Sequence, residues 1–463
     1  MPSPYSLINN ININNSHNIH RPHNMKNLKE QFIIIAIILT LAVIFNACTD
    51  SIAHAKTMVG NAEIPALIER KGELAKASEW QKTKEKVTEL TQKIVANPTD
   101  LKARLQLATI FMSEARVTGD AYYNQATLKV LDGVLSLDPN NFEALTYKAS
   151  VAMSLHQFAK AKELAVQAMK INPNNAYIYG VLVDANVEQG NYTEAVAMSD
   201  KMQVLKPSLE SYSRASYLRE INGDYKGAID AMQMAVTAGL PGSESASWSQ
   251  VIMGDLYVAT GELDKATICY KNTLVARPNF PNAEIGLAKI AKAKKDYPTA
   301  IAHTETAIRI TSEAAYISLL AELYALKGDE KKANEIKKDV IDLLEKDEKA
   351  QNDGDIVMKH NANRELAFAY LAIKNYNKAL AFAKTDLALR PENIDANELV
   401  AYLLYLNNYA TAALPYVEKM LKTNSQNADK LYKAGLIYTK TGNTAKGEAL
   451  IEQARKINLF VFN

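Results

Sequence analysis

The sequence contains few cysteines, glycines and prolines for its 463 residues, and these shortages exclude several classes of protein. Cys48 and Cys269 are the two cysteines, a count too low for a disulfide framework or for a cysteine-based zinc site. The 18 glycines and 14 prolines are few, as expected when most residues lie inside helices. Composition therefore favours a helical protein without covalent or metal cross-links.

No excess of charge of either sign is present. Lys and Arg number 53 against 51 Asp and Glu, which leaves a net charge of +2. A protein that binds phosphate backbones usually has a basic patch or a larger basic excess, so we expect no nucleic-acid partner. The hydrophobic fraction of 48% is enough for a sizeable folded core.

The sequence also lacks the motifs of common active sites. We find no glycine-rich phosphate loop, no nucleophile elbow and no zinc-protease histidine pair. His156, His303 and His360 each stand without a second ligand three or four places away, so we expect solvated surface histidines. Cys269, between Ile268 and Tyr270, is predicted to be a small buried hydrophobic residue. We expect no catalytic residue, no metal and no cofactor, and hence no enzyme.

The N-terminus contains the one long apolar run. Residues 1–24 are polar and Asn-rich and are predicted to be disordered; translation is expected to start at Met25. Lys26 and Lys29 then precede an apolar run of 14 residues, 32–45. Such a run is shorter than the roughly 20 residues of a spanning helix and has the length of a signal-peptide core.

The apolar run ends in Phe45-Asn46-Ala47-Cys48, which resembles the lipobox of bacterial lipoproteins. The resemblance implies a signal peptide over 25–47, acylation of Cys48 and a tether over 48–58. Phe45 and Asn46 depart from the usual Leu and small residue. The alternatives are an ordinary cleaved signal or an uncleaved anchor. The expected location is the bacterial cell envelope, on the outer membrane, with the folded part in the periplasm or at the cell surface.

From residue 100 onward the chain repeats itself. Small residues recur at spacings of 33 to 46 residues, mostly 33 to 35, and an apolar residue often precedes each by three places. In several repeats a proline follows twelve places later. The small residues are Ala161, Ala195, Ala228, Ala266, Ala300, Ala333, Ala379, Ala412 and Gly447. Each repeat has the apolar spacing of two amphipathic helices.

This pattern resembles the tetratricopeptide repeat (TPR), with 142–175 and 247–280 matching over their whole length. The resemblance implies an all-α, right-handed superhelical α-solenoid of about ten TPR helix pairs, whose core forms only when repeats stack. We expect an N-terminal helical cap over 59–98 and about seven repeats over 101–345. These are followed by a linker over 346–359, and then by about three repeats with a C-terminal tail over 360–463.

In this family the first helix of each repeat lines a concave groove. The exposed positions of those helices carry acidic and aromatic residues in the second to fifth repeats and basic residues later, so the predicted groove changes sign. The predicted groove residues are Glu143, Tyr177, Asp184, Glu188, Glu210, Tyr217, Glu220, Trp248, Asp255, Lys289, Lys292 and Arg364. Aromatic residues of this kind are favoured in binding hot spots.

The pattern as a whole favours a protein that binds other proteins. We expect a membrane-anchored scaffold or adaptor of the cell envelope that accepts basic or polar segments of partner proteins in its groove. The alternative is an outer-membrane lipoprotein that binds glycans or other small molecules on a TPR scaffold. Such proteins interrupt their repeats with long loops, whereas repeats two to seven here have at most about four extra residues between them.

Overall fold

The computed structural model describes residues 57–59, 62–350 and 358–462, which lie mostly in α-helices. None of the helices in these ranges is long and apolar enough to cross a membrane. The predicted signal peptide, the lipidation site Cys48 and most of the tether lie outside the described residues.

Within the described ranges ten helix pairs follow one another, at the positions that the repeat predicts, and we number them units 1 to 10. The first helices span Leu101–Thr118, Phe142–Ser154, Ala176–Glu188, Leu209–Ile221, Glu244–Ala259, Pro281–Ala293, Ala314–Leu326, Asn363–Ala372, Ile394–Leu406 and Ala428–Lys440. The second helices span Tyr122–Leu137, Phe158–Ile171, Tyr192–Leu205, Tyr225–Ala238, Leu263–Ala276, Tyr297–Ile310, Glu330–Ala350, Tyr376–Leu389, Ala410–Met420 and Thr444–Ile457. The predicted all-α solenoid of TPR-type helix pairs is confirmed.

Small residues let the two helices of a unit approach closely. Ala161, Ala195 and Ala228, one in each of three successive units, are fully buried. Glycines serve the same purpose where a large ring occupies the crossing. A Cβ built on Gly254 would lie 2.6 Å from the Tyr270 ring, so that ring has room only beside a glycine.

The turn between the two helices of a unit requires a left-handed residue. Gly190, Gly223 and Gly261 have φ of 79°, 82° and 79°, as the turn sequences predict. His156 and Lys295 occupy the corresponding turns of units 2 and 6 with φ of 55° and 58°. The direction of each hairpin is thus set locally.

Before unit 1 the chain differs from the predicted helical cap. Two antiparallel strands, Thr57–Val59 and Ala62–Ile64, are followed by an extended segment, a 3-10 helix at Gly72–Lys76 and an α-helix at Ser78–Ala96. The extended segment is held by unit 1, because the Tyr122 hydroxyl donates to the Ala66 carbonyl at 2.7 Å. Tertiary contacts of this kind override the helical composition of the segment.

The predicted linker begins as helix. The second helix of unit 7 continues to Ala350, whereas 346–359 was expected to break the repeat. Leu344 of this helix packs in one core cluster with Leu366 of unit 8. The helix stack therefore passes from unit 7 to unit 8 through shared core residues.

The solenoid curves far enough for later units to lie against earlier ones. The Asn361 amide donates to the Leu155 carbonyl at 3.0 Å, and the Ile394 amide donates to the Tyr192 hydroxyl at 2.9 Å. The Asn458 side-chain amide donates to the Val258 carbonyl at 2.8 Å. The hairpin turns of units 2 and 3 thus contact the segments that precede units 8 and 9, six units later. The turn of unit 5 contacts the segment that follows unit 10 in the same way. The chain thus completes one superhelical turn and stacks a second upon it.

The C-terminal tail takes part in this stacking. Leu459–Phe462 forms a 3-10 helix, and the Phe462 ring lies 4.8 Å from that of Tyr432 in unit 10. Phe460 packs instead against the core cluster shared by units 5 and 6. The tail thus folds over the last unit and also joins that unit to the first superhelical turn.

Candidate partner-binding groove

An open cleft of about 400 Å³ lies on the first helices of units 1 to 3. It is lined by Thr109, Met112, Arg116, Phe142, Glu143, Thr146, Tyr147, Asn175 and Tyr177. Two of the predicted groove residues, Glu143 and Tyr177, are among them. Met112 and Arg116 were missed because the groove positions were assigned from the second repeat onward, and Tyr147 was missed because it lies outside the positions that the family pattern assigns to the groove.

Two tyrosines form the aromatic part of this cleft. The rings of Tyr147 and Tyr177 meet edge to face with centroids 6.3 Å apart, and the Tyr177 hydroxyl lies 3.0 Å from Ser150 Oγ. Tyr177 keeps 45% of its surface exposed. A rigid ring held at one edge and open at the other offers contact area at little entropic cost.

Glu143 supplies the free charge of the cleft. It is exposed, and it forms no ion pair with any residue in the described ranges. Arg116, the basic residue of the lining, lies 3.7 Å from Glu244. Burial raises the pKa of Tyr147, and the neighbouring Glu143 carboxylate raises it further, so this hydroxyl is neutral.

The predicted charges beyond the cleft are largely paired within the protein. Asp184 accepts two hydrogen bonds from Arg214, at 3.0 and 2.6 Å. Asp255 accepts one from the Tyr270 hydroxyl at 2.8 Å, and Lys289 lies 4.0 Å from the same carboxylate.

The basic end of the predicted groove is paired in the same way. Lys292 donates to Glu322 at 2.5 Å across adjacent first helices. The change of sign along the groove is therefore mostly neutralised by neighbouring units.

Three predicted groove residues are buried, and their assignment to an open groove is wrong. Glu188 accepts a hydrogen bond from Arg390 at 2.6 Å, with both side chains less than 5% exposed. Tyr217 packs in a core cluster that includes Ile394, and Arg364 is 7% exposed. Glu188 and Tyr217 are covered by Arg390 and Ile394 of the second superhelical turn, and Arg364 belongs to that turn itself.

The remaining predicted residues lie at intermediate places. Glu210 is exposed and accepts from the Ser208 hydroxyl at 2.7 Å, within the cap of its own helix. Glu220 is half-buried. Trp248 is also half-buried and lines a small cavity of about 60 Å³ together with Leu74 of the N-terminal segment. Of the twelve, only Glu143, Tyr177 and Glu210 are exposed.

A charged cluster between units 9 and 10 was not predicted. Lys430 donates to Asp395 at 2.9 Å and to Glu398 at 2.8 Å, and Lys433 donates to Glu398 at 2.8 Å. Burial alone would raise the pKa of Glu398, but the two lysines hold it well below its usual value. Each residue is polar and unremarkable in its own helix, so only the packing of adjacent first helices could reveal the cluster.

Two sequence expectations about reactive side chains have opposite outcomes. Cys269 is buried, which confirms the prediction of a small buried hydrophobic residue, and burial raises the pKa of its thiol to about 11. His156, expected at the surface, is 6% exposed. His156 lies in a hairpin turn that is covered by the segment leading into unit 8. Its Nδ1 atom is 3.2 Å from the carbonyl oxygen of Asn361 in that segment.

No protein-family model matches the chain. A stretch of 76 residues is 38% identical to the Protein SGT1 homolog of Oryza sativa subsp. japonica, covering 16% of this chain. The chain spans about a fifth of the length of that curated relative, 20%.

Solved structures of low sequence identity share parts of the architecture. A crystal structure of the APC/C hetero-tetramer Cut9–Hcn1 is 14% identical, covers 82% of this chain and 60% of its own, and has a TM-score of 0.44. A tetratricopeptide repeat protein from Parabacteroides merdae is 17% identical, covers 53% and 99% respectively, and has a TM-score of 0.41.

Proposed function

We propose that the protein is a membrane-anchored scaffold of the bacterial cell envelope that binds an extended segment of another protein in the cleft of units 1 to 3. The observation that carries this proposal is the open cleft with an unpaired carboxylate and an exposed tyrosine. Elsewhere along the predicted groove the charged residues are mostly engaged by the protein itself. The cleft is therefore the place where a partner would gain contacts without breaking existing ones.

The chemistry of the cleft favours a segment with a basic side chain. Glu143 offers a carboxylate in the same cleft lining as Tyr147 and Tyr177, a combination that suits a lysine or arginine through charge pairing and cation–π contact. Phe142 and Met112 extend the lining with apolar surface. A segment that combines a cation with a neighbouring apolar residue would use both parts.

Site-specific photocrosslinking in cells tests the location of binding. A benzophenone amino acid at position 177 should give discrete crosslinked products, because Tyr177 is half exposed in the cleft. The control is the same substitution at Tyr409, which is 60% exposed and lies at the hairpin turn of unit 9. Equal products from both positions would contradict binding in the cleft.

A charge reversal tests the chemistry. Glu143→Lys should reduce the yield of the crosslinked products from position 177 by about tenfold, the equivalent of losing one charge-assisted contact. Glu194→Lys is a matched control, since Glu194 is an exposed residue on the outer, second helix of unit 3. The proposed basic segment would be abandoned if the two reversals had the same effect.

The membrane anchor is a separate part of the proposal and needs its own test. Its support is the predicted signal peptide that ends at Cys48. Cells fed an alkyne-labelled fatty acid should incorporate the label into the wild-type chain and into Cys269→Ala, but not into Cys48→Ala. Incorporation into Cys48→Ala would refute the anchor and leave the cleft proposal intact.

A further inference from the structure

Two histidines and a glutamate from distant parts of the chain meet where the second superhelical turn lies on the first. His156 lies at the hairpin turn of unit 2, and His360 and Glu365 lie in the segment that leads into unit 8 and in its first helix. A nitrogen of each histidine and an oxygen of Glu365 all lie within 4.8 Å of one another. His156 Nδ1 is 3.4 Å from Glu365 Oε1, and the centroids of the two imidazole rings are 4.9 Å apart.

Hydrogen bonds on both sides of His360 fix the position of its backbone. The Met358 and Lys359 carbonyls accept from the side chains of Gln125 and Gln157, at 2.8 and 2.9 Å. On the other side the Asn361 amide donates to the Leu155 carbonyl at 3.0 Å. The histidine is thus held against the first superhelical turn before any ligand arrives, which is the condition for a preorganised site.

Glu365 has spare capacity to bind a cation. Its Oε2 atom is buried and accepts no hydrogen bond among the described residues. A buried carboxylate oxygen without a donor is costly, and a bound ion is one of the few explanations for it. Imidazole nitrogens and a carboxylate oxygen together form a donor set that suits a divalent transition metal.

We propose that His156, His360 and Glu365 bind a divalent transition-metal ion, Zn²⁺ by preference. Around a tetrahedral zinc the donor atoms stand about 3.3 Å apart, as follows from metal–ligand distances near 2 Å. His156 Nδ1 and Glu365 Oε1 are already 3.4 Å apart, and side-chain rotation would bring in the nitrogen of His360. The Asn361 carbonyl oxygen, 3.2 Å from His156 Nδ1, or a water molecule completes the set.

Such an ion would fasten the two superhelical turns together. His156 and His360 are 204 positions apart, and a link that closes so long a loop restricts the unfolded chain strongly. His156 follows Glu143 by 13 positions in unit 2, but the site uses none of the residues that line the cleft and does not depend on the scaffold role. The site is structural because its ligands come from both superhelical turns.

Metal binding can be measured on the full chain in detergent micelles by equilibrium dialysis against Zn²⁺ and elemental analysis. Wild type should bind one more zinc per chain than His360→Gln. Histidines in residues 1–56 are common to both proteins and cancel in the difference. Zinc should also raise the melting midpoint of wild type by at least about 2 °C more than that of the variant.

Two further variants keep the test decisive. Glu365→Gln preserves the size of the side chain and removes its charge, so it should lose the same zinc even if His360→Gln folds poorly. His303→Gln is the matched control, because His303 contacts Glu284 at 2.6 Å in a histidine–carboxylate pair and is not part of the site. Equal zinc content in wild type, His360→Gln and Glu365→Gln would overturn the proposal.

Discussion

Replacing Gly190 by alanine should separate the two superhelical turns, because the backbone of Gly190 lies directly against a later backbone. Gly190 has φ of 79° in the hairpin turn of unit 3. A Cβ built on it would stand 2.1 Å from the carbonyl oxygen of Glu392 and 2.7 Å from the amide nitrogen of Asn393. Those atoms belong to the junction of units 8 and 9, so neither side can yield by a simple rotamer change.

The size of the effect follows from two separate costs. Placing alanine in the left-handed region costs about 1–2 kcal/mol wherever it occurs. The clash with a backbone adds about 1–3 kcal/mol of overpacking, or an equivalent loss of the contacts between the turns. Gly328→Ala isolates the first cost, since Gly328 has φ of 93° and a Cβ there would have nothing within 4 Å.

The assay compares the free energies of unfolding of the two variants by urea titration, with amide exchange of Ile394 as a local reporter. The Ile394 amide donates to Tyr192 across the two turns at 2.9 Å. We expect Gly190→Ala to lose at least about 1 kcal/mol more than Gly328→Ala, the smallest overpacking cost. We also expect faster exchange at Ile394 in the first variant alone. Equal losses would refute the inferred stacking of the turns.

Two further predictions concern buried charge. Arg390→Met should lower the free energy of unfolding by about 3–5 kcal/mol, because it leaves the buried carboxylates of Glu188 and Asp386 without their cation. The control is Arg455→Met, which removes a half-exposed ion pair and should lower the free energy of unfolding by less than about 1 kcal/mol. Burial raises the pKa of Glu313 to about 8, so the stability that this carboxyl contributes is present below about pH 4.5 and is lost as pH rises through 8. Thermal melts from pH 5 to 9 should therefore show a shallower decline for Glu313→Gln than for wild type.

The helix pairs could be predicted from the sequence because the determinants of each pair are local. Small residues at the crossing, glycine at the hairpin turn and proline after the second helix recur at fixed spacing, and each acts within one unit or its neighbour. The N-terminal segment was predicted less well. Its helical composition is overridden by contacts of Ala66 and Arg70 with unit 1, including two hydrogen bonds from Arg70 to Glu114 at 2.8 and 2.7 Å.

The exposure of a groove residue could be predicted only where its surroundings come from its own repeat and the adjacent repeats. Glu143 and Tyr177 are exposed among the described residues, whereas Glu188 and Tyr217 are covered by Arg390 and Ile394 at the approach to unit 9 and its start. A position within a repeat specifies which way a side chain faces relative to its own unit. It carries no information about a chain segment 202 residues away, such as Arg390, that enters the same space.

The stacking of two turns also explains one of the predicted acidic residues, Glu188 at the end of the first helix of unit 3. An acidic residue there resembles part of a binding surface when each unit is considered alone. In the folded chain Glu188 receives Arg390, and Glu392 of the same junction pairs with Lys422, which also reaches the Gly190 carbonyl at 3.4 Å. Residues of the later units thus bind groups of unit 3 that a partner protein would otherwise contact. Among the described residues these contacts engage Glu188 and Gly190 of unit 3 and leave Glu143 and Tyr177 exposed.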